Sequence, residues 1–175
     1  VPKMMNKNLI FESNNKKNEF NKIEPIFIFG IPRTGTTLVE TIITPGKEKI
    51  YNAGENFILQ KALQKLQANK KINESKKFIK LDVSFLKKEI VNSYMRQFSI
   101  LTEKFKFIDR TMTNFLFSEI LLELFPNAKI INCKRDPFHN FVAIYQQCLN
   151  NLPWAHDIED IKKYISIYNK KLKHL

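Results

Sequence analysis

Residues 30–37 read GIPRTGTT, two glycines five positions apart with one arginine and three threonine hydroxyls between and after them. Glycine admits unusual dihedrals and close backbone approach, so the N–H groups of such a loop can turn inward on an anion. Arg33 offers a planar fork that matches phosphate or sulfonate oxygens in pairs, and Thr34, Thr36 and Thr37 supply hydroxyl donors beside Gly35. The chemistry implied is the gripping of a cluster of anionic oxygens. A nucleoside-triphosphatase loop would carry lysine where Thr36 stands, so the cation for Mg-assisted hydrolysis of ATP is not supplied.

An anion loop works only if a strand and a helix hold it. Residues 26–29, Ile-Phe-Ile-Phe, form a continuous apolar run of β-formers ended by Gly30, which predicts a strand buried on both faces of a parallel sheet. Residues 36–43 follow as a helix whose N-terminus adds partial positive charge at the loop. Further strands are expected at 49–51, 106–108 and 128–132, and helices at 55–68, 84–101, 114–125 and 137–149. A last helix opens at Asp157 or Ile158. This alternation predicts an α/β fold, a three-layer P-loop-like domain around a central parallel sheet. Arg135 then falls at the carboxyl end of a parallel strand, where ligands of open α/β sheets collect, just before Pro137 opens a helix. Pairing with Asp136 is the other reading of that arginine. His139 is expected on the helix surface.

The segment PRTGTTLVE resembles the 5′-phosphosulfate loop of sulfotransferases that use 3′-phosphoadenosine 5′-phosphosulfate (PAPS), usually PRSGTTL or PKSGTTW. It is similar to the bacterial branch that carries tetratricopeptide repeats and to tyrosylprotein sulfotransferases. The later LFPNAKII and KRDP resemble the family's second landmark, and the resemblance implies that Arg135 holds the 3′-phosphate. DRTMTNF resembles DKMPxNF and implies that Arg110 steadies the leaving phosphate oxygen, with Met112 where the family has Pro. Gly54-Glu55 resembles the GAGEL or GEE segment and implies that Glu55 faces the acceptor hydroxyl. A carboxylate there can take the proton as the oxygen attacks. Glu55 equally suits a helix N-terminus as an acid serving the dipole, and Glu40 is the reserve base candidate. The family's second GEE glutamate is Asn56 here, and a hydroxyl usual eight residues after the landmark arginine is Ala143. WAHDIED extends the resemblance, so that it covers residues 25–175. It implies PAPS as co-substrate, an unidentified acceptor hydroxyl or amine, and an upstream helical-repeat domain. A non-catalytic nucleotide- or polyanion-binding protein on the same fold is the alternative.

The totals agree with a globular domain: 175 residues, 43% hydrophobic, 15 of them Phe. Twenty-nine Lys and Arg against 17 Asp and Glu leave a charge of +12, which favours polyanionic partners without choosing among them. Taken with the loop, the expected partner is a nucleotide rather than nucleic acid. Cys133 and Cys148 lack metal spacing and are expected as reduced thiols in a cytoplasmic protein, and no metal site is expected. No apolar run approaches the roughly 20 residues of a membrane span. Residues 1–23 read as a polar lead-in without assigned elements, residues 69–80 as a solvated loop, and residues 24–175 as the domain. The start at Val1 and the stop inside a helical pattern suggest a fragment, truncated at the C-terminus.

Overall fold

In the computed structural model, residues 8–12, 23–46, 49–69, 78–100, 105–147 and 149–173 are described. Four parallel strands form the central sheet: β2 (Ile23–Gly30), β3 (Ile50–Asn52), β5 (Phe105–Asp109) and β6 (Lys129–Cys133), in the order β3-β5-β2-β6. Alternation along β2 serves two cores, because successive side chains point to opposite faces. Phe27 and Phe29 enter the larger core, and Ile28 enters a smaller one with Ile108 and Cys133. Strand β2 begins three residues earlier than its apolar run. Pro25 is tolerated there because the ladder to β6 starts only at Ile26, leaving β5 as its one neighbour.

Helix α1 (Thr36–Ile43) covers the smaller core with Val39 and Ile43. On the opposite face lie α2 (Ile58–Asn69), α3 (Val83–Phe98), α4 (Ser118–Leu124) and α6 (Ile158–Leu172), which contribute Leu59, Leu86, Ile90, Ile120 and Ile161 to the larger core. Helix, sheet and helices make the three layers, as the β-α-β-α pattern requires. Helix α5 (Pro137–Gln146) follows β6 and is capped by Asp136, whose side chain accepts from the His139 backbone N–H. Its Ile144 also enters the larger core.

Several helix boundaries depart from the spacing, and α5 ends at Gln146 rather than at 149. Helix α2 starts at Ile58 rather than at 55, because the Asn56 side chain caps the Ile58 N–H and Phe57 takes a left-handed φ of 55°. Helix α3 closes at Phe98 instead of 101: Ser99 adopts φ 52° and the Ile100 N–H reaches back to the Met95 carbonyl, a Schellman closure without glycine. The expected helix at 114–125 is split into a 3-10 turn, Met112–Phe117, and α4.

The lead-in and the expected surface loop also carry strands. Strand β1 (Asn8–Glu12) pairs in parallel with β4 (Phe78–Asp82), from Asn8 opposite Phe78 to Glu12 opposite Asp82. Each run bonds the backbone groups on the edge that faces the other. Among the described residues no helix is long and apolar enough to cross a membrane, and no cluster of His, Cys, Asp and Glu has metal geometry. Cys133 is a buried free thiol, its pKa raised by burial, and Cys148 lies outside the described residues.

Candidate active site

All four strands of the central sheet point their carboxyl ends to one edge, and a cleft of about 450 Å³ opens there. Gly30, Pro32, Arg33, Thr36 and Thr37 form one wall, and Glu55, Arg110 and Met112 face them. Residues 149–152 close the third side.

The loop is a tight turn that opens directly into α1. A Cβ on Gly30 would stand 2.4 Å from both Thr34 Oγ1 and Thr36 Cγ2, so only glycine lets the chain curl back this tightly. Gly35 takes φ 92° and precedes the first turn of α1, whose N–H groups receive no side-chain cap. Arg33 also sits in the left-handed region, at φ 71°, a strain of roughly 1–3 kcal/mol of the kind that collects at ligand clamps. Thr34 is spent on the loop itself, its hydroxyl donating to the Ile31 carbonyl at 2.8 Å. Thr36 and Thr37 line the cleft instead.

Arg110 and Glu55 are brought together by strand pairing. Asn52 lies opposite Ile108 at the end of the β3–β5 ladder, and two more backbone bonds extend it: Ala53 N–H to the Ile108 carbonyl at 2.8 Å, and Arg110 N–H to the Gly54 carbonyl at 3.0 Å. Asn56 N–H then donates to Thr111 Oγ1 at 3.1 Å, so the two strand exits leave the sheet stitched together. Behind them Asp109, buried, accepts from the Tyr94 hydroxyl and, at 2.8 Å, from the Thr111 N–H. Arg110 is thereby aimed at the cleft, where Nη1 meets Glu55 Oε1 at 2.5 Å and Nε meets Glu40 Oε2 at 2.7 Å. Burial alone would lower the arginine's pKa, but the bonds and charges of Glu40 and Glu55 outweigh it and raise it further.

Arg135 does not line the cleft. It follows the end of β6, where Cys133 lies opposite Gly30, and donates from Nη1 to the Arg33 carbonyl. Buried Asn140 braces the same loop, its amide donating to the Pro32 carbonyl at 2.8 Å. His139 lies at the surface, Nδ1 2.9 Å from Asp136 Oδ1. Sequence reasoning missed Asn140 and residues 149–152. Asn140 is a polar residue inside an expected helix, and only its burial marks it. The Leu-Asn-Asn-Leu stretch carries no signal apart from its place after α5.

Fold and cleft define a three-layer α/β protein with a P-loop-like turn at the carboxyl edge of its sheet. The chain belongs to the sulfotransferase family, whose model matches residues 25–175. A Drosophila melanogaster protein-tyrosine sulfotransferase is 25% identical over 169 residues, 85% of this chain and 33% of its own length. An uncharacterized protein of Aquifex aeolicus (strain VF5) is 33% identical over 130 residues, 70% of this chain and 17% of that protein. The chain therefore spans no more than a third of either relative.

Proposed function

We propose that this chain binds PAPS at the carboxyl edge of the sheet and transfers its sulfuryl group to an acceptor hydroxyl or amine. The observation that carries the reading is the facing of two sets of residues across one cleft: the anion loop with Arg33, Thr36 and Thr37, and the Arg110–Glu55 pair. Arg33, Thr34, Gly35, Thr36 and Thr37 shape or grip the 5′-phosphosulfate end, and Arg135 takes the 3′-phosphate. The acceptor oxygen attacks sulfur while its proton passes to a Glu55 carboxylate oxygen. The bond from sulfur to the bridging oxygen breaks, and its electron pair stays on the leaving phosphate, where an Arg110 N–H meets the growing charge. No group in this scheme calls for a metal.

The polyanion is a nucleotide rather than nucleic acid, and the setting is the cytoplasm with reduced thiols. Residues 24–175 act as the transferase domain and residues 1–23 as its lead-in, with helical repeats upstream. The acceptor class follows the tyrosine sulfotransferase named above no further than an oxygen or nitrogen nucleophile.

Titration calorimetry with adenosine 3′,5′-bisphosphate, followed by transfer of radiolabelled sulfate from PAPS to a panel of alcohols, phenols and amines, tests both halves. The reading predicts micromolar binding that Arg33→Ala weakens at least tenfold, and labelled product. Absence of binding sinks it. Binding without transfer favours a non-catalytic nucleotide-binding protein, the reading that Asn56, Ala143 and the engagement of Glu55 by Arg110 support.

A further inference from the structure

Two carboxylates hold one guanidinium, and they hold it differently. The Glu40 side chain is 6% exposed, that of Arg110 21% and that of Glu55 48%. We propose that Glu40 is the positioning residue for Arg110: it fixes the guanidinium through Nε, so that Glu55 is free to release Nη1 and turn to the acceptor. This rests on the sulfuryl-transfer reading given above.

Desolvation separates the two carboxylates. An ionised carboxylate taken out of water is strongly destabilising unless a partner and hydrogen bonds compensate it. Glu40 Oε2 has Arg110 Nε at 2.7 Å, and Oε1 is buried with no hydrogen-bond partner among the described residues. Leaving Arg110 would strand both oxygens, so this contact is the fixed one. Glu55 is half in solvent, where an ion pair contributes little and water or an acceptor hydroxyl can replace the guanidinium at little cost. One pair is permanent and the other exchangeable.

Chain geometry points the same way. The Arg110 backbone is fixed by the Gly54 carbonyl and the next residue, Thr111, by the Asp109 carboxylate, while the hydrogen bonds of the Arg110 side chain among the described residues go to Glu40 and Glu55. Glu40 comes from α1, five residues into the helix that the anion loop opens, so it ties the guanidinium to the element carrying the donor grip. Without Glu40, Arg110 would be left to Glu55 alone, and a bidentate pair would occupy both the proton acceptor and the charge donor at once. Burial and the engagement of Oε2 assign Glu40 to this task rather than to the reserve role of base.

The Nε–H signal of Arg110 in ¹H–¹⁵N spectra, identified by its loss in Arg110→Lys, tests the clamp without any turnover. Slow exchange is expected in the wild-type chain and in Glu55→Gln, and fast exchange or loss in the isosteric Glu40→Gln. Thermal unfolding shows whether that variant folds, and Glu40→Asp, one methylene shorter, replaces it if it does not. A slow signal that survives Glu40 substitution, or that vanishes in Glu55→Gln instead, overturns the proposal. Where transfer is measurable, Glu40→Gln lowers kcat about ten- to a hundredfold with donor KM within about threefold. In an Arg110→Ala background it adds no further loss. A full second loss there would also overturn the proposal. A wild-type chain that transfers nothing overturns the reaction instead, and the Nε–H measurement still decides the clamp.

Discussion

Arg135 Nη1 donates a hydrogen bond of 3.1 Å to the carbonyl oxygen of Arg33, joining residues 102 apart in the chain. The second candidate phosphate site thus touches the backbone of the first. A guanidinium that meets the 3′-phosphate directly and one that only props the loop predict different losses. Arg135→Ala should weaken adenosine 3′,5′-bisphosphate about ten- to a hundredfold while barely changing 5′-AMP, as read by calorimetry. Equal losses for both nucleotides would mean that Arg135 acts only through the loop.

The two loop glycines are needed for different reasons, and alanine separates them. At Gly30 a methyl group meets Thr34 and Thr36 at 2.4 Å, so Gly30→Ala must open the loop; we expect lost nucleotide binding and about 1–3 kcal/mol of destabilisation. At Gly35 nothing lies within 4 Å of the added carbon, and only the φ of 92° opposes it. Gly35→Ala should cost about 1–2 kcal/mol and keep measurable binding. Thermal unfolding and calorimetry on the two variants check the order.

Tyr94 is linked through Asp109 to the strand exit that carries Arg110. Its hydroxyl donates to Asp109, which also holds the Thr111 N–H, and both lie in the buried layer behind Arg110. Tyr94→Phe leaves one carboxylate oxygen of Asp109 without its donor in a dry setting, at a cost of about 1–3 kcal/mol. A lowered urea midpoint with an unchanged m-value is the expected result; an unchanged midpoint would show that water takes the place of the hydroxyl.

Alkaline pH should unfold the protein in a defined direction. Burial, and for Tyr94 the Asp109 charge as well, raises the proton affinity of the Tyr94, Tyr164 and Tyr168 phenols above the ordinary value near 10. The native state then keeps protons that the unfolded chain gives up, so this contribution is complete below pH 10 and falls away above it. Unfolding free energy should decline from about pH 10 upward, more shallowly in Tyr94→Phe. A flat profile between pH 9 and 11 would contradict this.

What could be read from residue order was whatever depends on neighbours in the chain. The strand 26–29, the loop and the strands ending near Arg110 and Arg135 all announce themselves through apolar runs stopped by glycine or charge. Pairing between distant segments does not. Strands β1 and β4 are five-residue runs in Lys- and Asn-rich surroundings, and each acquires its meaning from a partner about seventy residues away. The Arg110–Glu55 contact is hidden for the same reason, since it follows from β3 lying beside β5. Glu40 is hidden more thoroughly. A helical wheel for α1 would bury Leu38 and Ile42, yet these are 64% and 68% exposed while Glu40 is 5% exposed. Only the guanidinium arriving from β5 makes that inversion tolerable.

The brace from Asn140 to the Pro32 carbonyl has a bearing on how such a protein can diverge. Because α5 is bonded to the Gly30–Gly35 loop through Asn140, the contour of the cleft is written partly in a helix that lines none of it. Changes of packing along α5 can therefore shift the loop and reshape the cleft with every cleft-lining side chain left as it was. A lineage could drift in what the cleft accepts through this helix alone, and a designer seeking to reshape the cleft would do well to randomise α5 before the loop.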